Sequence, residues 1–316
     1  MNIYSFFLSI LCFVCGCSRS CEHVDHLRNW MCPDGRLKVL CTTAFVAELV
    51  DAVGGEEVDA IVLVPFGGDP HSYKLVKGDS EKFARADVIF SSGLGLEQAG
   101  ALSRYLKAAS AVEVTQAIEE PIFHEGLPDP HAWLDVSVWA KGLDVIERVL
   151  AQKRADKKEF FERRANEKRE TMHLLHEQIH ELLEQIPERD RRLVSTHDAF
   201  YYFARGYLSA PGQQFSDRVS APEGMASEGQ ISTRDVEQVV DYIREHEVRV
   251  VFSEYGVNTD SICKVIGVCR EQGLDVRLAG EYLYSDVSEE KIDYAQMMQH
   301  NARAIVRAYM EGNGER

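Results

Sequence analysis

Long apolar runs are scarce in this chain, and the one at its start, Ile3 to Cys17, falls short of the about 20 residues that a membrane-crossing helix needs. That run also lacks the Lys or Arg that usually opens an export signal, so only the terminal amine supplies positive charge. No Gly-x-Ser-x-Gly elbow occurs, which argues against a serine hydrolase of that type. Gly93-Leu94-Gly95 lacks the third glycine of a dinucleotide fingerprint, Gly100 falling at the wrong spacing. Past the first apolar run, no Cys-x-x-Cys pair is placed for a thiolate zinc site. Cationic residues are few: 35 Lys and Arg stand against 51 Asp and Glu, a net charge of -16. A surface of that sign repels nucleic acid and anionic membranes, so neither is expected as a partner.

What is present begins with that same uncharged run. Rich in Phe, Leu, Ile and Val, Ile3 to Cys17 reads as the core of a secretory signal. It ends in Val14-Cys15-Gly16-Cys17, which resembles a bacterial lipobox with Cys17 as the lipidated residue, although Cys15 is unusual there. The expected organisation is a signal at 1–17, a polar tether at 18–36, an N-terminal lobe at 37–135, connecting helices at 136–186 and a C-terminal lobe at 187–316. Three of the eight cysteines belong to the export segment, leaving Cys21, Cys32, Cys41, Cys263 and Cys269. An odd remainder argues against a full disulfide framework. Cys263 and Cys269 sit in a helical stretch about 9 Å apart along the axis, too far to bridge. Pairing of Cys32 with Cys21 or with Cys41 is left open.

From Leu37 onward, short apolar runs alternate with amphipathic stretches. Strands are expected at Leu37–Cys41, Val58–Val64, Asp87–Ser91 and Ala111–Thr115. A helix follows the first through Phe45, Leu49 and Val53, and another runs from Glu97 to Ala109. After Pro187 the pattern repeats, with strands at Arg192–Ser195, Val248–Ser253 and Leu274–Leu278. Helices are expected there at Ala199–Tyr207, Thr233–His246, Asp260–Gln272 and Lys291–Met310. Such alternation indicates an α/β fold of two lobes, each a mainly parallel sheet flanked by helices. Between them, Asp156 to Ile186 has neither proline nor glycine. Phe161, Ala165, Lys168, Met172, Leu175, Ile179, Leu182 and Ile186 recur there at alternating steps of four and three. That is one face of a continuous rigid helix about 40 Å long, joining the lobes as a strut. His173, His176 and His180 flank the apolar stripe and read as part of its solvated face.

The tripeptide Asp-Pro-His occurs twice, at Asp69-Pro70-His71 and Asp129-Pro130-His131. Proline fixes the backbone just ahead of each imidazole, lowering the entropy lost when the ring is held in place. Two imidazoles held this way form the beginnings of a metal site. His71 follows the second strand by a short loop, His197 follows the Arg192–Ser195 strand almost at once, and Asp286 follows Leu274–Leu278. In open α/β sheets, ligands bind beyond the carboxyl ends of the strands, where the loops converge.

Four segments carry a specific likeness: Gly68-Asp69-Pro70-His71-Ser72-Tyr73, Asp129-Pro130-His131-Ala132-Trp133-Leu134-Asp135, Thr196-His197-Asp198-Ala199-Phe200-Tyr201-Tyr202-Phe203 and Tyr284-Ser285-Asp286. In order and setting they resemble the metal-binding substrate-binding proteins of bacterial ABC transporters, the TroA-like cluster A-I. The likeness runs from about Leu37 to the C-terminus and includes the strut. Pro222-Glu223-Gly224 through Gln230-Ile231-Ser232 is further similar to the chlamydial YtgA branch. The resemblance implies a monomer that holds one divalent transition metal ion (manganese, iron or zinc) between its lobes through His71, His131, His197 and Asp286. It implies a periplasmic or otherwise extracytoplasmic protein, delivering that ion to a membrane permease and not acting as an enzyme. Three neutral imidazoles and one carboxylate suit a borderline divalent ion.

Asp69 and Asp129 read as loop or supporting groups rather than ligands. Glu254, after the Val248–Ser253 strand, is either a carboxylate fixing an imidazole tautomer or one stabilising a loop. The competing function is a zinc-dependent hydrolase with Glu254 as general base, against which a site closed by Asp286 leaves no position for activated water. His124 stands alone in the loop where zinc importers of the family often carry a histidine-rich run. Lacking that run, the chain looks more like a manganese or iron importer.

Overall fold

The computed structural model describes residues 27–313 apart from 99, 125, 226–230 and 288. The export segment, Cys17 and Cys21 lie outside the described residues.

Strands β1 (Leu37–Cys41), β2 (Val58–Val62), β3 (Val88–Ser91) and β4 (Val112–Glu113) form a parallel sheet in the order β2-β1-β3-β4. Its central strand β1 is buried along its whole length, as expected of a parallel strand covered on both faces. Alternation sends Val39 and Cys41 to one face and Leu40 to the other. Helix α1 (Ala44–Gly54) follows β1, its first turn capped by the Thr43 hydroxyl accepting from Val46 N–H. Helices α2 (Asp79–Arg85) and α3 (Gly100–Ala108) complete this half, α3 starting three residues later than the sequence suggests. A two-residue-per-strand hairpin, β5 (Phe123–His124) and β6 (Leu127–Pro128), follows, with Gly126 supplying positive φ in its turn.

The polar tether expected at 18–36 ends earlier than its sequence suggests. Trp30 is 1% exposed, packs with Leu40, Ile61, Ile89 and Phe83, and donates its indole N–H to the Asp59 carbonyl at 2.8 Å. The area gained by burying one indole outweighs the polarity of its neighbours. Cys32 is exposed and Cys41 buried, and both are free thiols, as are Cys263 and Cys269.

Short helices α4 (Val136–Trp139) and α5 (Gly142–Lys153) lead into the strut, α6 (Lys158–Leu183). Its apolar stripe buries Phe161, Ala165, Met172, Leu175 and Ile179 against α1, α4, α5 and the C-terminal helix α10 (Tyr294–Asn313). In the second half, β7 (Leu193–Val194) pairs with β8 (Val219–Ser220) and β9 (Val250–Val251) with β10 (Arg277–Leu278), all parallel. A Phe252 N–H to Val194 carbonyl bond of 2.8 Å joins the two pairs. Between β7 and β8, α7 (Tyr201–Phe203) runs into a π-helical turn at Ala204–Leu208. At Gly206 a Cβ would lie 2.8 Å from an Asp135 carboxylate oxygen, so a larger residue would displace that side chain. Helices α8 (Thr233–Glu245) and α9 (Asp260–Glu271) cover the outer face with a cluster of Val236, Val240, Val251, Ile262 and Val265. The inner faces of both sheets instead share one continuous apolar cluster along the strut, from Leu37 to Ala308.

Candidate metal centre

Each Asp-Pro-His segment folds into the same turn. Asp69 Oδ1 accepts the His71 N–H at 2.8 Å, and Asp129 Oδ1 accepts the His131 N–H at 2.9 Å. An aspartate bonding the backbone two residues on is a local turn that needs no tertiary support. Beyond the second copy, a 3₁₀ turn at Ala132–Leu134 ends at Asp135, whose carboxylate caps α4 by accepting from Ser137 and Val138 N–H.

The four residues singled out in the sequence gather around Asp286. Donor atoms of His71, His131 and Asp286 all lie within 4.8 Å of one another, and His197 stands outside that group of three, approaching it at Asp286. His131 Nε2 is 3.2 Å from Asp286 Oδ1, while His197 Nε2 and His71 Nε2 are 3.2 and 3.5 Å from Asp286 Oδ2. Donors about 2.1 Å from one ion at tetrahedral corners stand roughly 3.4 Å apart, and the three contacts to Asp286 have that size. All three Nε2 atoms and both Asp286 oxygens are buried without a hydrogen-bond partner. Five such orphans in one place are costly unless something they can all bind occupies their centre.

Backbone ties bring the ligand segments together. Trp133, two residues after His131, donates its indole N–H to the Ser285 carbonyl at 2.8 Å, beside Asp286. Asn301, fully buried on α10, clamps Tyr284 by accepting from its N–H at 2.8 Å and donating to its carbonyl at 2.7 Å. Leu283 bridges to Glu254, placing the Asp286 loop alongside the end of β9. None of these ties is legible in sequence spacing, since they join residues 17 to 152 apart.

Around the donors stand further carboxylates. Asp129 Oδ1 lies 2.7 Å from His131 Nδ1, and Glu254 Oε2 lies 2.7 Å from His197 Nδ1. Both face the ring nitrogen opposite the one that points at Asp286, the arrangement that orients an imidazole ligand. Glu254 does both things the sequence left as alternatives, for its Oε1 also accepts the N–H of Thr196 at 2.8 Å and of His197 at 2.9 Å. On the far side of His197 from the donor cluster, it cannot act as general base on a metal-bound water, so the hydrolase reading loses its catalytic group. Buried Glu223, part of the Pro222-Glu223-Gly224 stretch, pairs its backbone with His197 in a β-bridge, a placement that no sequence spacing indicated.

The electrostatics follow from this packing. Burial alone would push His131 down, but the Asp286 and Asp129 carboxylates outweigh it and raise it from 6.5 to about 9. His197 is likewise depressed by burial and raised well above its ordinary value by Glu254 and Asp286. Burial would raise Asp286, yet His197, His71 and His131 hold it well below the usual carboxylate range. The centre is thus built to hold positive charge.

The strut histidines behave differently from their sequence reading. His173 is exposed, but His176 and His180 are half-buried against Tyr207, with His176 Nδ1 2.9 Å from the Tyr207 hydroxyl. Burial lowers the His176 pKa. The strut does carry a His-Glu-x-x-His spacing of the kind found in zinc hydrolases, His176-Glu177-Gln178-Ile179-His180, so the absence of that motif is no argument against a hydrolase. Among the described residues, the only three-donor His, Cys, Asp or Glu cluster is the one at Asp286, so this pair has no third ligand to complete a site.

Residues 39–308 match the family of zinc-uptake complex component A periplasmic (ZnuA). The metal-binding protein YtgA of Chlamydia trachomatis is 36% identical over 282 residues, covering 86% of each chain. The manganese-binding lipoprotein MntA of Bacillus subtilis is 31% identical over 287 residues, covering 87% of this chain and 90% of that one. The crystal structure of Fe(III)-bound YtgA from Chlamydia trachomatis superposes with a TM-score of 0.81 at 34% identity, covering 86% of this chain and 97% of the other. The chain belongs to the ZnuA family, the metal-binding, substrate-binding components of ABC metal uptake that work outside the cytoplasm.

Proposed function

We propose that this protein captures one transition-metal ion, manganese or iron ahead of zinc, through His71, His131, His197 and Asp286, and hands it to an ABC permease. The observation that carries the assignment is the gathering of five buried donor atoms without a hydrogen-bond partner around Asp286. Two α/β lobes at 37–135 and 187–316, tied by the strut, would flank the ion. Lipidation of Cys17 would tether the protein at the membrane, in keeping with the lipoprotein name of the Bacillus relative. The choice of metal leans on the lone His124 and on the manganese- and iron-binding relatives. Imidazole donors themselves favour zinc at least as strongly.

Elemental analysis of protein purified from its native compartment is expected to find about one manganese or iron per chain, the stoichiometry of a single four-donor site. Calorimetric titration then assigns the ligands. His197→Ala should abolish tight binding and His176→Ala should leave it intact. Equal affinities in the two variants would overturn the assignment, and a loss confined to His176→Ala would point to the His-Glu-x-x-His pair instead.

A further inference from the structure

We propose that the cleft beside the metal centre is a cation-selective approach, in which Glu223, Asp235 and Asp198 hasten capture of the uncomplexed ion and turn away metal carried in anionic chelates. The inference rests on the ligand assignment above and adds the chemical form in which the metal is taken.

The cleft has a volume of about 800 Å³ and reaches His71. Among the four proposed ligands, the His71 side chain is the most accessible, at 11% against 3% or less for the others. An ion arriving through the cleft therefore meets His71 first. Among the described residues that line the cleft, Asp198, Glu223 and Asp235 are acidic and none is Lys or Arg. The contrast with a second cavity shows that this is local. That cavity, about 370 Å³ at the amino ends of β7 and β9, has Arg189, Arg192 and Arg249 on its wall. The sign of the cleft is thus more than a reflection of the net charge of the chain.

Each carboxylate is held by its own surroundings. Asp235 closes a capping box at the start of α8, its Oδ2 accepting the Ser232 N–H and the Ser232 hydroxyl, each at 2.8 Å. Those bonds, the Ser232 N–H above all, lower its pKa, so it is charged at neutral pH. Asp198 follows His197 in the chain, with its Oδ2 3.6 Å from His124 Nε2. Glu223 is 7% exposed, and its Oε2 is buried without a hydrogen-bond partner, the neighbouring Ser261 hydroxyl falling outside bonding geometry. An unpaired carboxylate oxygen is costly to keep in such a place. A cation crossing the cleft supplies the missing partner. A concavity lined by one sign of charge between low-dielectric walls concentrates ions of the opposite sign and raises their rate of arrival. The same field repels a chelate that is anionic as a whole.

Capture of Co(II) by the full chain reads this directly in stopped flow, because its visible absorption strengthens when it leaves water for a four-donor site. Gln238 is exposed on α8 and lines the same cleft, so Gln238→Lys adds a positive charge without removing a carboxylate. It is expected to slow capture about three- to tenfold at low salt, and release by less than about twofold. Glu223→Gln should slow capture in the same way. Gln185→Lys adds the same charge at an exposed position outside the cleft and should leave the rate near that of the parent chain. In about 1 M salt, where the Debye length is about 3 Å, the differences should vanish. At a fixed concentration of free Co(II), adding its anionic citrate complex should not speed capture. Equal slowing by Gln238→Lys and Gln185→Lys, or no slowing by either, would overturn the approach. Capture that rises with the citrate complex would overturn the selection against chelates. Failure of the underlying assignment shows separately, as an unchanged Co(II) spectrum in His131→Ala.

Discussion

In both Asp-Pro-His turns the aspartate accepts the N–H of the histidine two residues on, yet the two histidines end in different surroundings. Asp69 spends its second oxygen on the Ser72 hydroxyl at 2.7 Å, three residues downstream. The corresponding position after Asp129 is Ala132, which has no hydroxyl to offer. Asp129 uses the same Oδ1 that accepts the His131 N–H to reach His131 Nδ1 at 2.7 Å, leaving its Oδ2 buried without a hydrogen-bond partner, in a site where both residues are fully buried. His71 lies at the wall of the cleft. One tripeptide thus sets the backbone twice. The two copies differ in depth of burial, and the aspartate faces the ring of its histidine in the fully buried copy.

The largest effect that would break this comparison lies in the histidines themselves. His131→Ala should weaken Mn(II) binding by more than the roughly 10–100-fold that losing a supporting partner costs. His71→Ala should lose less than His131→Ala, because water from the cleft can take the vacated position. Calorimetry checks both, and equal losses would show that burial does not distinguish the two copies. A smaller effect sharpens it. Asp129→Asn should cost about 10–100-fold and Asp69→Asn less than about threefold. The proton count separates these variants further. With His131 raised to about 9 by Asp286 and Asp129, its imidazole carries a proton at pH 7 that must leave when metal binds. Affinity should therefore fall as pH drops below about 9, and titration in two buffers of different ionisation enthalpy should register the release. Removing the Asp129 charge lowers the His131 pKa and reduces that release, and an undiminished release would contradict the role given to Asp129.

Much of the frame was legible before the structure. β1 has the bounds its apolar run indicates, and the strut's periodicity marks the residues that are buried, except that Lys168 is only half-buried and Leu183 takes the place of Leu182. The proposed ligands stood out because each follows a strand or a proline-fixed turn, features written in local sequence. What escaped was set by distant contacts. Trp30 looked like part of a tether because nothing near it shows the pocket formed by Leu40, Ile61 and Phe83. The β5–β6 hairpin and β8 have only two residues per strand, too few for any periodicity. His176 and His180 read as solvated because their partner Tyr207 arrives from a π-helical turn 31 and 27 residues away. The double role of Glu254 depends on β9 ending beside β7, which no spacing reports.

The most direct test of the account is anomalous diffraction from crystals grown with Mn(II). The account predicts one ion bonded to Nε2 of His71, His131 and His197 and to Asp286, at the roughly 2.0–2.3 Å of first-row metal bonds, with Asp129 and Glu254 behind the rings. An ion seated at His176 and His180, or bonded to Glu254 in place of one of the four, would contradict it.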